Sequence, residues 1–201
     1  MGVTDWTWLF VVAIIGYLIG SLNGSLLLSK VFFKDDIRRH GSGNAGATNV
    51  LRVHGKKWTV LVSAWDMGKG ALAVWLGSVL LNDIGSMIAG LGVILGHVFP
   101  LYFGFKGGKG VITACMVMLM LDWQVACIAL AFFFALVLWK RYISLGSIVA
   151  VVTLPVTSLI LGRPVENVIL CVIVMALITA LHRANIKRLL SGTEHKFGEK
   201  P

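Results

Sequence analysis

Residues Gly41-Ser42-Gly43-Asn44-Ala45-Gly46 have the Gly-x-Gly-x-x-Gly spacing of a dinucleotide loop. That fingerprint requires a buried strand leading into it. The residues before it read FFKDDIRRH, which is no such strand, so a dinucleotide site is excluded. Glycines that permit unusual φ/ψ still turn successive N–H groups inward as an anion nest. Ser42, Asn44, Thr48, Asn49 and Arg52 interleave here as convergent donors, which a flexible linker would not need. A polar, phosphate-holding loop is therefore favoured over a linker.

A second cluster, YFGFKGGKGV, places Lys106 and Lys109 around Gly107 and Gly108 just before an apolar run. It lacks the Gly-Lys-Ser/Thr ending of a P-loop, so nucleoside triphosphate with magnesium is not indicated. Lysines beside a helix N-terminus form a phosphate clamp. Membrane anchoring explains the two lysines, but not Gly104, Gly107, Gly108 and Gly110 in seven residues. In ALHRANIKRLLSGTEHK, His182 and Asn185 are three apart, as on one helical face, where an apolar run ends. That segment alone also reads as an interfacial anchor. Glu194 is expected to pair with a cation. Ser144 and Ser147 follow Lys140 and Arg141 at another helix start, Ser144 as a cap and Ser147 as a substrate contact. Asp66 and Lys69 lie three apart inside an apolar run, where each charge costs about 2.5–3.5 kcal/mol, so they should pair or face a polar interior. Cys115, Cys127 and Cys171 show no metal-ligand or disulfide spacing and read as small buried residues.

The elements that position these residues are membrane helices. The chain is 57% hydrophobic and only 13% charged, with a mean hydropathy of +0.86, against roughly 25% charged in an average soluble domain. Seven apolar segments, 8–29, 58–80, 85–103, 110–122, 123–139, 144–161 and 166–182, recur along the chain, which reads as one integral membrane domain over 1–201. The fourth and fifth abut at Asp122-Trp123, and a six-span reading merges them. Lys and Arg favour seven. Alternate loops collect Lys30, Lys34, Arg38, Arg39, Arg52, Lys56 and Lys57, then Lys106 and Lys109, then Lys140 and Arg141, then Arg183, Lys187, Arg188, Lys196 and Lys200. The other side carries only Arg163, with Asp5, Asp83, Asp122 and Glu166. This asymmetry puts the N-terminus outside and the C-terminus in the cytoplasm. The net charge of +9 then reflects cytoplasmic loops and anionic lipid or substrate rather than nucleic acid. Met1 to Trp8 lacks the basic start of a cleavable signal peptide, so the first span is expected to stay. Every glycine-rich or polar cluster falls on the cytoplasmic side.

Taken together, GSGNAGATN, GHVFPLYFGFKGGKG, WKRYISLGSI and HRANIKRLLSGTE, in that order and on one side, resemble the bacterial membrane glycerol-3-phosphate acyltransferases that use acyl phosphate. The resemblance covers nearly the whole chain. It implies an all-α polytopic enzyme of seven transmembrane helices in the bacterial inner membrane, with its active site facing the cytoplasm. The implied reaction moves a fatty acyl group from acyl phosphate to the 1-position of glycerol 3-phosphate, giving lysophosphatidic acid and inorganic phosphate. No cofactor, metal or nucleic acid is implied, and a monomer suffices. By motif matching, His182, Asn185 and Ser42 are catalytic. The match also places Asn44, Arg52, Lys106, Gly107, Gly108, Lys109 and Ser147 with substrate or phosphate and makes Glu194 structural; by their own chemistry Gly43, Thr48 and Asn49 join the binding set, and Asp66 and Lys69 are structural.

The residues agree with this chemistry independently. An acyl phosphate is a mixed anhydride with a good leaving group, so positioning and charge neutralisation replace a covalent nucleophile. No Gly-x-Ser-x-Gly elbow is present. His195 is followed by Glu199 at the His-x4-acid spacing of other acyltransferases, but in a polar tail. A transporter of a phosphorylated anion is the main rival. It should carry polar residues through to the outer face or internal repeats, and neither is evident. A membrane scaffold that merely holds anionic lipid would tolerate substitution of Ser42, Lys109 and Asn185.

Overall fold

The computed structural model describes residues 5–198, and among them every regular element is helical. Residues 1–4 and 199–201 lie outside the description, with Glu199, Lys200 and the Asp5 side chain. Two compact units divide the chain, Met1–Leu121 and Asp122–Pro201.

In the first unit, α1 (Asp5–Ser21) and α2 (Gly24–Phe32) meet at a 41° bend. The expected first segment, 8–29, is therefore broken. Asn23 is the cause: its backbone is extended and its side-chain oxygen accepts the Leu26 N–H at 3.1 Å, capping a new helix. A 3-10 turn (Ile37–Arg39) and α3 (Ala47–His54) follow. Next comes α4 (Lys56–Val98), which is interrupted at Leu81 and Asn82, the latter at φ 52°. Its two arms, 56–80 and 83–98, correspond to the second and third apolar segments. The second arm stops at Val98, short of the expected 103, because Pro100 disfavours helix in the residue before it. A 3-10 turn (Leu101–Phe103) and the second glycine loop lead to α5 (Val111–Leu121).

The seam between α1 and the second arm of α4 is made of small residues. A Cβ at Gly20 would lie 2.8 Å from Val93 Cα, and one at Gly96 would lie 2.8 Å from the Ser21 amide nitrogen. Gly16 and Gly92 sit equally close to the opposite backbone. Such contacts let helices gain dispersion where lipid supplies no hydrophobic drive.

Asp66 and Lys69 do pair. Their charged atoms are 2.8 Å apart with both side chains nearly inaccessible. Removing one partner leaves a buried uncompensated charge, so Lys69→Ala is expected to destabilise the protein by about 3–5 kcal/mol. Thermal unfolding of the detergent-solubilised protein measures this, and a shift within error would show the pair to be dispensable.

The second unit contains α6 (Trp123–Lys140), α7 (Ile143–Ile160), α8 (Val165–Leu181) and α9 (Arg183–Leu190). Asp122 is non-helical and its carboxylate caps α6 through the Val125 N–H, so the fourth and fifth apolar segments are separate helices. Arg163 Nη2 reaches the same carboxylate at 3.2 Å. Gly146 brings α7 onto Phe133 and Val137 of α6. Beyond α9 the tail returns to Arg141, whose guanidinium donates to the Phe197 carbonyl at 2.9 Å. Cys171 is buried as expected, Cys115 is half-buried, and Cys127 lies exposed on the outward side of α6.

Three helices, α4, α6 and α7, are individually long and apolar enough to cross a bilayer, and there are five such spans if each bent pair, α1–α2 and α8–α9, is one. Their outward faces are strongly apolar, with Leu138 80% and Ile160 78% exposed. Such surface is suited to lipid rather than water.

Candidate active site

In the first unit, the glycine loop runs from the 3-10 turn to α3. Gly41 and Gly43 take left-handed backbone, φ 57° and 73°. Asn49 is fully buried beneath them. Its Oδ1 accepts the Ser42 N–H at 2.8 Å, and its Nδ2 donates to the Ile37 and His40 carbonyls at 3.2 and 2.9 Å. The whole amide closes the loop, so the expectation that Asn49 contacts phosphate gives way to a supporting role. The nest expectation changes as well. Gly43 donates to the His40 carbonyl and Gly46 to the Asn44 carbonyl, so these amides serve the loop itself.

What faces outward is the start of α3. Gly46 is its N-cap and contributes no side-chain hydrogen bond, which leaves first-turn amides with donor capacity. Thr48 and Arg52, four apart, share a face turned away from buried Val50. Arg52 is half-buried and pairs with no carboxylate among the described residues. Ser42 is exposed and Asn44 half-buried at the rim.

The second glycine loop lies against the first. Arg38, held by Asp36 at 2.7 Å, donates to the carbonyls of Phe103 and Lys106 at 2.9 and 2.8 Å. The Arg38 guanidinium, by its hydrogen bonds, keeps the Asp36 carboxyl below its usual range. Gly107 and Gly108 donate to the Val98 and His97 carbonyls at 2.9 and 3.2 Å. A methyl at Gly108 would press on the Ala45 carbonyl at 2.5 Å and on the His97 ring. These glycines, expected as phosphate donors, are thus required by close backbone packing. Lys106, exposed, and Lys109, half-buried, supply the loop's charge.

In the second unit, His182 ends α8 and opens α9 at a 61° bend. His182 and Asn185 therefore do not share one uninterrupted helical face, as their spacing suggested. His182 is buried, and its Nδ1 lies 2.8 Å from the Ile178 carbonyl. Nδ1 must donate there, so in the neutral ring Nε2 carries the lone pair. Asn185 Nδ2 and Arg188 Nε each lie 2.6 Å from one oxygen of Glu194, which gives Glu194 the cation expected of it. Ser147 is buried and donates to the Ile143 carbonyl at 2.9 Å, leaving its oxygen as an acceptor. Ser144 is not a cap: Tyr142 holds that position and Ser144 sits in the first turn of α7.

Burial alone would raise the Glu194 carboxyl, but its hydrogen bonds from Asn185 and Arg188 outweigh it, so its pKa lies below the ordinary 4.5. The clamp's stabilisation is therefore complete above pH 4.5 and is lost as pH falls below that value through the folded pKa. Glu194→Gln is expected to remove about 1.5–3 kcal/mol at neutral pH and to flatten this acid limb. An unfolding profile that does not change as pH falls from neutral through the carboxylate range, about pH 4, would refute the clamp.

The chain's relatives match it over nearly its whole length. The profile of the glycerol-3-phosphate acyltransferase family matches residues 10–192. A glycerol-3-phosphate acyltransferase of Thermoanaerobacter pseudethanolicus is 45% identical over 188 residues, covering 94% of this chain and 95% of that protein. The chain belongs to the glycerol-3-phosphate acyltransferase family. Two crystal structures of PlsY (YgiH), an integral membrane glycerol 3-phosphate acyltransferase, share the fold. The glycerol 3-phosphate form has a TM-score of 0.89 at 39% identity, covering 94% of this chain and 96% of that one. The lysophosphatidic acid form has a TM-score of 0.85 at 38% identity, covering 94% and 95%.

Within this family architecture, several residues that organise the site take no role from the glycine spacing. Asn23, His97 and Arg38 touch the loops from below or behind and Thr113 touches His97; Asn23 and Thr113 lie outside the quoted motifs, while His97 opens GHVFPLYFGFKGGKG without being one of its glycines or lysines. The available signal was polarity out of place. Asn23 and His97 interrupt apolar runs, where polar side chains are costly and therefore informative.

Proposed function

We propose that this chain is an acyltransferase that moves a fatty acyl group from acyl phosphate to the 1-hydroxyl of glycerol 3-phosphate, releasing lysophosphatidic acid and inorganic phosphate as the first step of phospholipid synthesis. One observation carries the reading: nearly the full chain shares its fold with one enzyme in both a glycerol 3-phosphate form and a lysophosphatidic acid form. Those two molecules differ by a single acyl ester, so they are acceptor and product of acyl transfer. A transporter of phosphorylated anions does not fit this family.

The donor and the residue roles extend that reading. The glycerol hydroxyl oxygen attacks the acyl carbon, the bond from that carbon to the phosphate oxygen breaks, and phosphate leaves with the electron pair. The proton passes to His182 Nε2 or to a phosphate oxygen, with Asn185 orienting the imidazole's surroundings. Arg52, Lys106 and Lys109 neutralise phosphate charge. Ser42, Asn44, Thr48 and the first turn of α3 donate to it, as does the protein around Gly43. Ser147 accepts from a substrate hydroxyl. No activated serine or cysteine is needed, because the donor is already an anhydride.

The proposed topology counts seven spans: the α1–α2 pair, the two arms of α4, α5, α6, α7 and the α8–α9 pair. The glycine loops and the C-terminus then face the cytoplasm of a bacterial inner membrane, as the Lys and Arg distribution favours, and the protein acts as a monomer. To test the function, purified protein is given labelled glycerol 3-phosphate with acyl phosphate, acyl-CoA or acyl carrier protein as donor. Lysophosphatidic acid from acyl phosphate is expected. No product from any donor would sink the reading, and product from acyl-CoA alone would sink the donor assignment.

A further inference from the structure

The most deeply buried polar residues of the first unit lie beneath the glycine loops, not in them. Asn23, Asp66, Lys69, His97 and Thr113 are all buried and form one connected set. Lys69 Nζ lies 2.8 Å from Asp66 Oδ1, 2.9 Å from His97 Nδ1 and 3.1 Å from the Gly20 carbonyl. An ammonium has no lone pair, so His97 Nδ1 accepts and the ring proton sits on Nε2. Thr113 Oγ1 is 3.4 Å from the same Nδ1. Asp66 Oδ1 also accepts the Gly24 N–H at 3.2 Å.

On its other side the set touches both loops. Asn23 Nδ2 lies 3.3 Å from the Ala45 carbonyl and 3.3 Å from the His97 carbonyl. The His97 carbonyl also accepts the Gly108 N–H, and the Gly108 backbone rests on the His97 ring and the Ala45 carbonyl. Ala45 belongs to the first loop and Gly108 to the second, so the spacing between the loops is set by His97 and Asn23. Buried ionic sets of this kind add little stability over apolar packing. What this one does add is a fixed backbone.

We propose that His97 and Asn23 are positioning residues that hold the two glycine loops at the separation needed to grip one phosphate group in common. This rests on the phosphate-ester chemistry proposed above. His97 is oriented from below by Lys69 and Asp66, and Asn23 joins its carbonyl to that of Ala45. Neither side chain touches substrate. Both act through the amides and cations that the loops carry.

Three variants separate positioning from folding. His97→Ala removes the ring. His97→Gln places an amide near the Nε2 position. Asn23→Ser keeps a capping oxygen for α2 but loses the donor to Ala45. For each, KM is measured separately for glycerol 3-phosphate and acyl phosphate, together with kcat, inhibition by inorganic phosphate, and thermal stabilisation by inorganic phosphate. For His97→Ala and Asn23→Ser, KM for one phosphorylated substrate is expected to rise about tenfold or more. Phosphate inhibition should weaken by the same factor, kcat should stay within about threefold, and His97→Gln should recover part of the loss.

Unchanged KM and phosphate stabilisation in folded variants would overturn the proposal, as would a fall in kcat alone. Failure of all three variants to fold would assign the set to structure and overturn it too. Phosphate stabilisation needs no turnover, so it tests positioning even if the wild type makes no lysophosphatidic acid, a result that would count against the acyl-transfer reading instead.

Discussion

Gly108→Ala is expected to lower lysophosphatidic acid formation by about a hundredfold or more, because a shift of about 1 Å in a positioning element is enough for such a loss. The added methyl meets two groups that cannot rotate away, the Ala45 carbonyl and the His97 ring. Backbone must therefore move, and both loops move with it. Loss should appear in kcat/KM for the phosphorylated substrates while the helices stay folded, since overpacking at one loop costs only about 1–3 kcal/mol. Gly104→Ala is the control. Gly104, unlike Gly108, takes left-handed backbone at φ 68°, so alanine there costs about 1 kcal/mol of backbone strain, but a Cβ meets nothing within 4 Å, so it should retain most activity. Equal activity in Gly108→Ala and wild type would show that the loops tolerate separation.

His182→Ala is expected to lower kcat by about 10²–10⁴-fold, the usual contribution of a positioned general base. The geometry behind this is the Nδ1 contact with the Ile178 carbonyl, which leaves Nε2 as the basic nitrogen. His182→Asn keeps a donor for that carbonyl but has no comparable base, so it should remain folded and stay slow. Turnover near wild type at saturating substrates would end the base role and leave the proton to a phosphate oxygen. Asn185 makes a useful contrast. Its Nδ2 is 2.6 Å from Glu194, so Asn185→Asp should set two carboxylates against each other and reduce stability as well as rate.

Much of the fold was legible because lipid leaves a chain few options: every backbone group must be satisfied within a helix, so apolar runs become helices. The places where helices break were less legible. Asn23 in SLNGS sits at the bend of a segment, 8–29, that hydropathy alone treats as continuous, and His182 in ALHRAN stands at a 61° bend where the last apolar segment ends and a short polar helix begins. Hydropathy averages over a window, whereas a break depends on a single cap or an isolated backbone conformation. The candidate site divides in a similar way. Glycine spacing pointed to both loops, and Lys69 beside Asp66 announced an ion pair. Spacing cannot say whether an N–H turns toward a ligand or toward the carbonyl of a neighbouring turn, and in the fold the amides of Gly43, Gly107 and Gly108 each donate to such a carbonyl. Asn49 shows the same ambiguity. A convergent donor in sequence became, in three dimensions, the fastener of its own loop.

The glycine seam between α1 and α4 has a genetic consequence. Every single-base missense change at Gly16, Gly20, Gly92 or Gly96 installs a larger side chain against backbone that lies within about 3 Å. A random-mutagenesis screen for loss of function should therefore return a second population of alleles, well away from any substrate group. Those alleles would be recognised by low membrane abundance rather than by altered kinetics. Partial suppressors should then map to the facing helix, as reductions in side-chain size.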